Sequence, residues 1–188
     1  MRGSIQRTAR VAAIAGLSLV LGACAAGAFY YDASESNLIS GNYAATDTLI
    51  KGGKVPATGG PVLVATVVDI DHLERSSTLG RLISEHVASR LAQKGYTVTE
   101  LKMREPVYMR TPEGELMLSR EVREISAKHG AQAVAVGTYA RDTSGGRNGV
   151  VFVSLKLVRT GDNTILGASD YALVLAQGGY GLLRTASQ

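Results

Sequence analysis

Apolar and polar positions follow two rhythms along this chain. From Val62 to Ile70 the run is almost continuously apolar and rich in Val, the pattern of a strand covered on both faces. Beyond it, Leu79, Leu82, Ile83, Val87 and Leu91 recur at i, i+3, i+4, i+8 and i+12, one stripe at helical period. Ser76 or Ser77 can cap that helix by accepting a hydrogen bond from its first turn, and Gly95 suits the left-handed position past its end. The result is a strand followed by a helix that packs back on it.

The same rhythms continue on both sides. Asn42 can cap a short helix, Tyr43 to Lys51, which the Gly- and Pro-rich residues 52–61 end. After the main helix, Tyr96 to Leu101 alternates as a short strand near an edge, and Pro106 to Arg110 extends as a small arm before a Thr111-Pro-Glu-Gly114 turn. Leu118, Val122, Ile125 and His129, at i, i+4, i+7 and i+11, predict a second helix with Ser119 at or near its cap and Gly130 at its end. Ala131 to Tyr139 reads as another buried strand. Val150 to Val158 sets Val151, Val153, Leu155 and Leu157 on one face, the Thr160-Gly-Asp-Asn163 turn follows, and Thr164 to Leu175 returns the chain.

Two strand-helix-strand crossovers demand parallel neighbours and right-handed connections. The expected fold is therefore α/β, a three-layer sandwich around a mixed five-strand sheet in the order 2-1-3-4-5, with the fourth strand antiparallel. The domain would span residues 42–175, leaving a C-terminal tail, 176–188.

Charge and cysteine change the picture at the N-terminus. The chain has 188 residues and a net charge of +4, but Arg2, Arg7 and Arg10 precede an apolar run, Val11 to Leu21, and without them the balance is 17 basic against 16 acidic residues. With no Trp, two Phe and no basic run interleaved with aromatics, a nucleic-acid surface is set aside. A charged end, a short apolar segment and then Leu21-Gly-Ala-Cys24 have the form of an export signal over residues 1–23, and the last four residues resemble the lipobox of bacterial lipoproteins. A plain signal peptide, or an uncleaved membrane helix running to about Ala28, are the alternatives. In the lipoprotein reading Cys24, the only cysteine, carries acyl chains that hold the protein in the membrane, and no thiol remains for a disulfide or a metal. By resemblance to sorted lipoproteins, Ala25 after the cysteine points to the outer membrane, at its periplasmic face. Residues 24–41 then read as a lipidated tether; its last seventeen residues, fully extended, would reach roughly 55–60 Å.

Candidate chemistry is sparse. Asp69, Asp71 and His72 follow the central strand, where open α/β sheets bind ligands, yet they offer at most three metal ligands with no second cluster to support them. A polar loop leading into the helix explains them at lower cost. His86 lies on or beside the apolar stripe and reads as a hydrogen-bonded, partly buried histidine; His129 can interact with a helix dipole. Arg81 and Glu85, at i and i+4, read as a solvated pair. Glu115, Ser119 and Arg120 form the most distinctive polar segment, either a subunit contact or a helix start with Arg120 paired to Glu124. No phosphate-loop, nucleophile-elbow or zinc-ligand spacing occurs, so no catalytic residue, metal or cofactor is assigned.

Ser77-Thr-Leu-Gly-Arg-Leu-Ile-Ser-Glu-His-Val-Ala-Ser-Arg-Leu91 with Gly95-Tyr-Thr-Val98, Gly114-Glu-Leu-Met-Leu-Ser-Arg120 and Val136-Gly-Thr-Tyr139 resemble the FlgO domain of flagellar outer-membrane lipoproteins, over about Tyr43 to Leu175. The domain is more distantly similar to the N-terminal domain of TolB and to anticodon-binding-type folds. The resemblance implies a non-enzymatic subunit of an outer-membrane ring around the flagellar base, supporting motility, with other ring proteins or copies of itself as partners. The alternative it leaves is a periplasm-facing adaptor or secretion-related lipoprotein with a TolB-like binding domain.

Overall fold

The computed structural model describes residues 30–32, 35–52, 54–101, 108–110, 116–118, 120–142 and 149–175. In chain order the elements are β1 (Tyr30–Asp32), α1 (Glu35–Ile50), β2 (Val62–Val64), β3 (Val68–Asp69), α2 (Thr78–Gln93), β4 (Val98–Glu100), β5 (Tyr108–Arg110), β6 (Leu116–Leu118), α3 (Arg120–Lys128), β7 (Ala133–Asp142), β8 (Gly149–Arg159) and β9 (Ile165–Leu175).

The main sheet runs β1-β9-β8-β7-β2-β4, with β3 continuing β2 alongside β7. β2 is parallel to both β4 and β7, whereas β8 is antiparallel to its neighbours. The expected order and directions of the five strands are therefore those observed, with β1 added in parallel at the β9 edge. Alternation sorts the core into two layers. Val62, Val64, Ala133, Ala135, Leu155 and Leu173 face Leu49 of α1 and Leu79, Ile83, Val87 and Leu91 of α2. On the other face Leu63, Ala65, Val134, Val136 and Val158 meet Val122 of α3. Leu79, Ile83 and Leu91 are fully buried, each contributing about 1.5–3 kcal/mol of transfer free energy.

The central strand is not continuous as expected. Val64 lies opposite Ala135 but Val68 opposite Thr138, so four steps on one strand answer three on the other, a bulge that separates β2 from β3. The cause lies in α2. Its first turn packs so closely that a Cβ at Gly80 would stand 1.9 Å from the Val67 carbonyl oxygen. The Ser84 hydroxyl accepts the Val67 N–H at 2.9 Å, replacing a ladder bond, and its own hydrogen lies within reach of the Ala65 and Gly80 carbonyls.

Helix ends follow local chemistry. Ser77 caps α2, accepting the Gly80 N–H at 3.0 Å, and Gly95 and Gly130 take φ values of 86° and 59° after α2 and α3. Three expectations shift. α1 begins at Glu35, not Tyr43, and β1 takes up part of the residues read as tether, since Leu38 packs into the core and Tyr30–Asp32 pair with β9. Asn42, expected as a cap, lies inside α1. Leu118 belongs to β6, opposite Tyr108, so the expected arm is one strand of a two-stranded ribbon and α3 starts at Arg120.

Candidate functional site

At the carboxyl ends of β3 and β7, where the sheet offers its conventional ligand position, Asp69 is buried and its carboxylate already occupied. One oxygen accepts the Asp71 N–H at 3.0 Å, and the other meets Arg141 at 3.2 Å. His72 Nδ1 stands 3.9 Å from the same carboxylate, and both Asp71 and His72 are exposed. The three residues thus form an Asx turn tied to the end of β7. Among the described residues no group of three His, Cys, Asp or Glu side chains could hold a metal ion. Tyr139, nearby in β7, has its phenol pushed up by burial.

A second polar cluster, between α1, α2 and β9, is more elaborate. Tyr171 of β9 donates to Asn42 Oδ1, and Asn42 Nδ2 donates to His86 Nδ1 at 2.8 Å. Asn42 is fully buried, so its amide is satisfied by one side chain from each neighbouring element. As the acceptor of this bond His86 is neutral at Nδ1, and burial holds its pKa below the ordinary 6.5. Tyr43 stands edge-on to the His86 ring, with centroids 6.3 Å apart. Burial likewise pushes the Tyr171 phenol up.

One turn away, Asp47 of α1 is forked by Arg90 of α2 at 2.9 and 2.6 Å, with Lys94 at 3.3 Å. The Arg90 guanidinium lies 5.3 Å over the Tyr43 ring and lowers the Asp47 carboxyl below its usual range. These contacts weld α1 to α2. They define no reacting centre. Arg81 reaches back to the hydroxyls of Ser76 and Thr78, each at 3.2 Å, rather than forward to Glu85. Gln132, the one polar interruption in its strand run, donates to the carbonyls of Pro56 and Gly60 and so clamps the Gly/Pro segment.

Among the described residues, hollows open on the surface. One of about 170 Å³ lies where β2 and β4 end, with Thr66, Arg81, Glu85 and Glu100 among its walls. A larger groove of about 470 Å³ runs between α1 and β9, lined by small side chains such as Ala44, Thr48 and Ala168. Ser84 also lines the first hollow, but its hydroxyl is engaged with the backbone of Val67, Ala65 and Gly80. Arg120 is the first residue of α3; Glu115, Ser119 and Cys24, and the expected side-chain role of Arg120, lie outside the described residues. His129 follows α3 at the surface, its N–H donating to the Ile125 carbonyl. Sequence reasoning missed the Asn42 hub, because its partners come from residues 44 and 129 positions away. Among the described residues no helix is long and apolar enough to cross a membrane.

A family described as FlgO protein matches residues 43–177. Among solved structures, the LpoB C-terminal domain from Salmonella enterica has a TM-score of 0.52 at 14% identity, covering 71% of this chain and 96% of that one. The LpoB C-terminal domain from Escherichia coli has a TM-score of 0.43 at 15% identity, covering 70% and 96%. A PelC dodecamer from Paraburkholderia phytofirmans, at 0.43 and 15%, covers 62% and 72%. At these identities the first likeness speaks to the fold alone. No curated protein matches the chain.

Proposed function

The chain belongs to the FlgO family, and from that premise we propose that it is a non-enzymatic lipoprotein of the bacterial envelope, an assembly subunit of an outer-membrane ring around the flagellar base. It is held at the periplasmic face by acyl chains on Cys24 and works through contacts with ring proteins or copies of itself. The observation that carries this reading is the family match over residues 43–177, which takes in the whole sheet apart from β1. Two features support it. The polar clusters are spent on joining elements, Asp69 to Arg141 and Asn42 to His86 and Tyr171, so their groups are engaged in structure. The lipobox-like segment Leu21-Gly-Ala-Cys24 and the apolar run that leads into it fit an exported, acylated N-terminus.

Complementation of a deletion strain tests the anchor. Wild-type protein should fractionate with outer membranes and restore swimming, whereas Cys24→Ser should leave the membrane fraction or accumulate as precursor, and fail to restore it. Unaltered membrane retention of Cys24→Ser would sink the lipid anchor, and normal swimming of the deletion strain would sink the flagellar role.

A further inference from the structure

The hydrogen bonds that join Tyr171, Asn42 and His86 run in a fixed direction. Tyr171 of β9 is buried, and among the described residues its hydroxyl bonds to Asn42 alone, so its hydrogen points at Asn42 Oδ1. With that oxygen committed, the buried amide presents its N–H to His86 Nδ1 at 2.8 Å. His86 must therefore accept, which keeps the ring neutral with its proton on Nε2. A hydroxyl on β9 thus dictates the state of a ring on α2, through a side chain of α1.

We propose that these three residues form a proton-operated joint: a proton taken up at His86 Nδ1 turns the Asn42 amide over, strands the Tyr171 hydroxyl and frees the first half of α1 from β9. Protonated Nδ1 is a donor and meets the Asn42 N–H head on. Turning the amide over offers Oδ1 to the ring, but its N–H then faces Tyr171, whose own hydrogen is left buried without an acceptor. Neighbouring charge does not relieve the conflict. Asp47, on the next turn of α1, is taken by Arg90 and Lys94. On α2 itself Glu85 is exposed and Arg90 is turned to Asp47, while Tyr43 shows the ring its edge. On β9, Asp170 points to the opposite face from Tyr171 by alternation. Burial, with no acidic partner, is what holds the His86 pKa low.

The movement is set by where α1 stays fixed. Beyond the joint, a Cβ on Gly167 of β9 would collide with the Leu49 carbonyl, so helix and strand pack backbone to backbone there. Asp47 holds the same half of α1 to α2. Loss of the Asn42 bonds therefore leaves the second half seated and lets the first half pivot. The groove of about 470 Å³ lies between the two holds, walled by Ala44 and Thr48 of α1 and by Ala168 and Tyr171 of β9, and it widens as the first half lifts. On the export reading, acid in the cell's surroundings opens this groove; the joint itself does not depend on that reading.

The full-length protein in detergent, isotopically labelled in its histidines, tests the joint by magnetic resonance. The signals of His86 are assigned by their loss in His86→Gln. Imidazole nitrogen shifts of the wild type at neutral pH should place the His86 proton on Nε2, and a proton on Nδ1 would overturn the proposal. Tyr171→Phe removes one hydroxyl and lets the amide turn freely, so His86 should titrate at higher pH than in the wild type. An unchanged titration would overturn the proposal as well. Hydrogen exchange reads the movement. As pH falls through the measured titration of His86, protection corrected for the intrinsic rate should drop about ten-fold at residues 42–45 and hold at residues 48–50. The drop should be absent from His86→Gln. An equal drop in that variant, or none in the wild type, would show that His86 does not operate the joint.

Discussion

Substituting Gly80 by Ala would add one methyl group to a helix, a change that helix propensity alone favours by about 1 kcal/mol. Here the added Cβ would meet the Val67 carbonyl oxygen at 1.9 Å, backbone against backbone, with no flexible side chain to give way. Gly80→Ala should therefore destabilise by about 2 kcal/mol or more, while Gly161→Ala, which meets nothing within 4 Å, should change stability by less than about 0.5 kcal/mol. Urea unfolding of the two variants decides the matter, and equal midpoints would refute the close approach. His86 makes a second prediction. Its folded pKa is depressed by burial, so the folded state binds fewer protons than the unfolded one. The stability it contributes is present above the unfolded value, near 6.5, and is lost as pH falls through the lower folded value. Asp47, held low by Arg90, acts in the same direction but only below about 4. Melting temperature should thus fall between pH 7.5 and pH 5 in the wild type, and fall less in His86→Gln, which keeps an acceptor for Asn42 without titrating. Parallel slopes in the two proteins would assign the loss to other groups. At this scale the sequence was partly legible. Ser77, Gly95 and Gly130 act through bonds or dihedral angles within a few residues, and a partly buried, hydrogen-bonded His86 follows from its place beside the stripe. Asn42 could not be placed, because a buried amide is defined by partners that only the fold supplies.

Secondary elements show the same division between local and tertiary causes. The α2 stripe was readable but for its margin, since Leu79, Ile83, Val87 and Leu91 are buried whereas Leu82 is only half-buried. The bulge between β2 and β3 was not, because a Val-rich run carries the same signal whether its ladder is continuous or shifted by one residue. What fixes the shift is Ser84, a full helix turn beyond Gly80, whose hydroxyl takes the Val67 N–H. Ser84→Ala should leave that N–H without its acceptor and destabilise by about 1–3 kcal/mol. Hydrogen exchange localises the effect: protection should fall first at Val67 and its neighbours. Unchanged protection there would show that the strand closes without the hydroxyl. The early start of α1 was hidden for a related reason. Gly41 interrupts a polar, Ser-containing stretch with poor helix propensity, and the helix is held by burial of Leu38, Ala45 and Leu49 against the sheet. Leu118 was misassigned because its helical spacing to Val122 competes with cross-strand pairing to Tyr108, and the pairing wins.

The whole-molecule topology was legible from the order of elements, because two parallel crossovers leave few ways to lay five strands. Family membership was legible from motif resemblance, and the family match over residues 43–177 bears that resemblance out. The Leu-Gly-Arg start of α2 gains a physical reason. Leu79 fills the core, Gly80 admits the strand backbone, and Arg81 ties back to the hydroxyls ahead of the helix. The interface that would join one subunit to the next has no such signature, since an edge or a groove takes its partner's shape from outside the chain. The ring-subunit account therefore meets its most direct test in intact flagellar basal bodies isolated with their outer-membrane rings. Quantitative mass spectrometry should find this chain enriched there over other outer-membrane lipoproteins. Its absence from well-preserved rings, with the protein abundant in the remaining outer membrane, would contradict the account and move the function to an envelope adaptor.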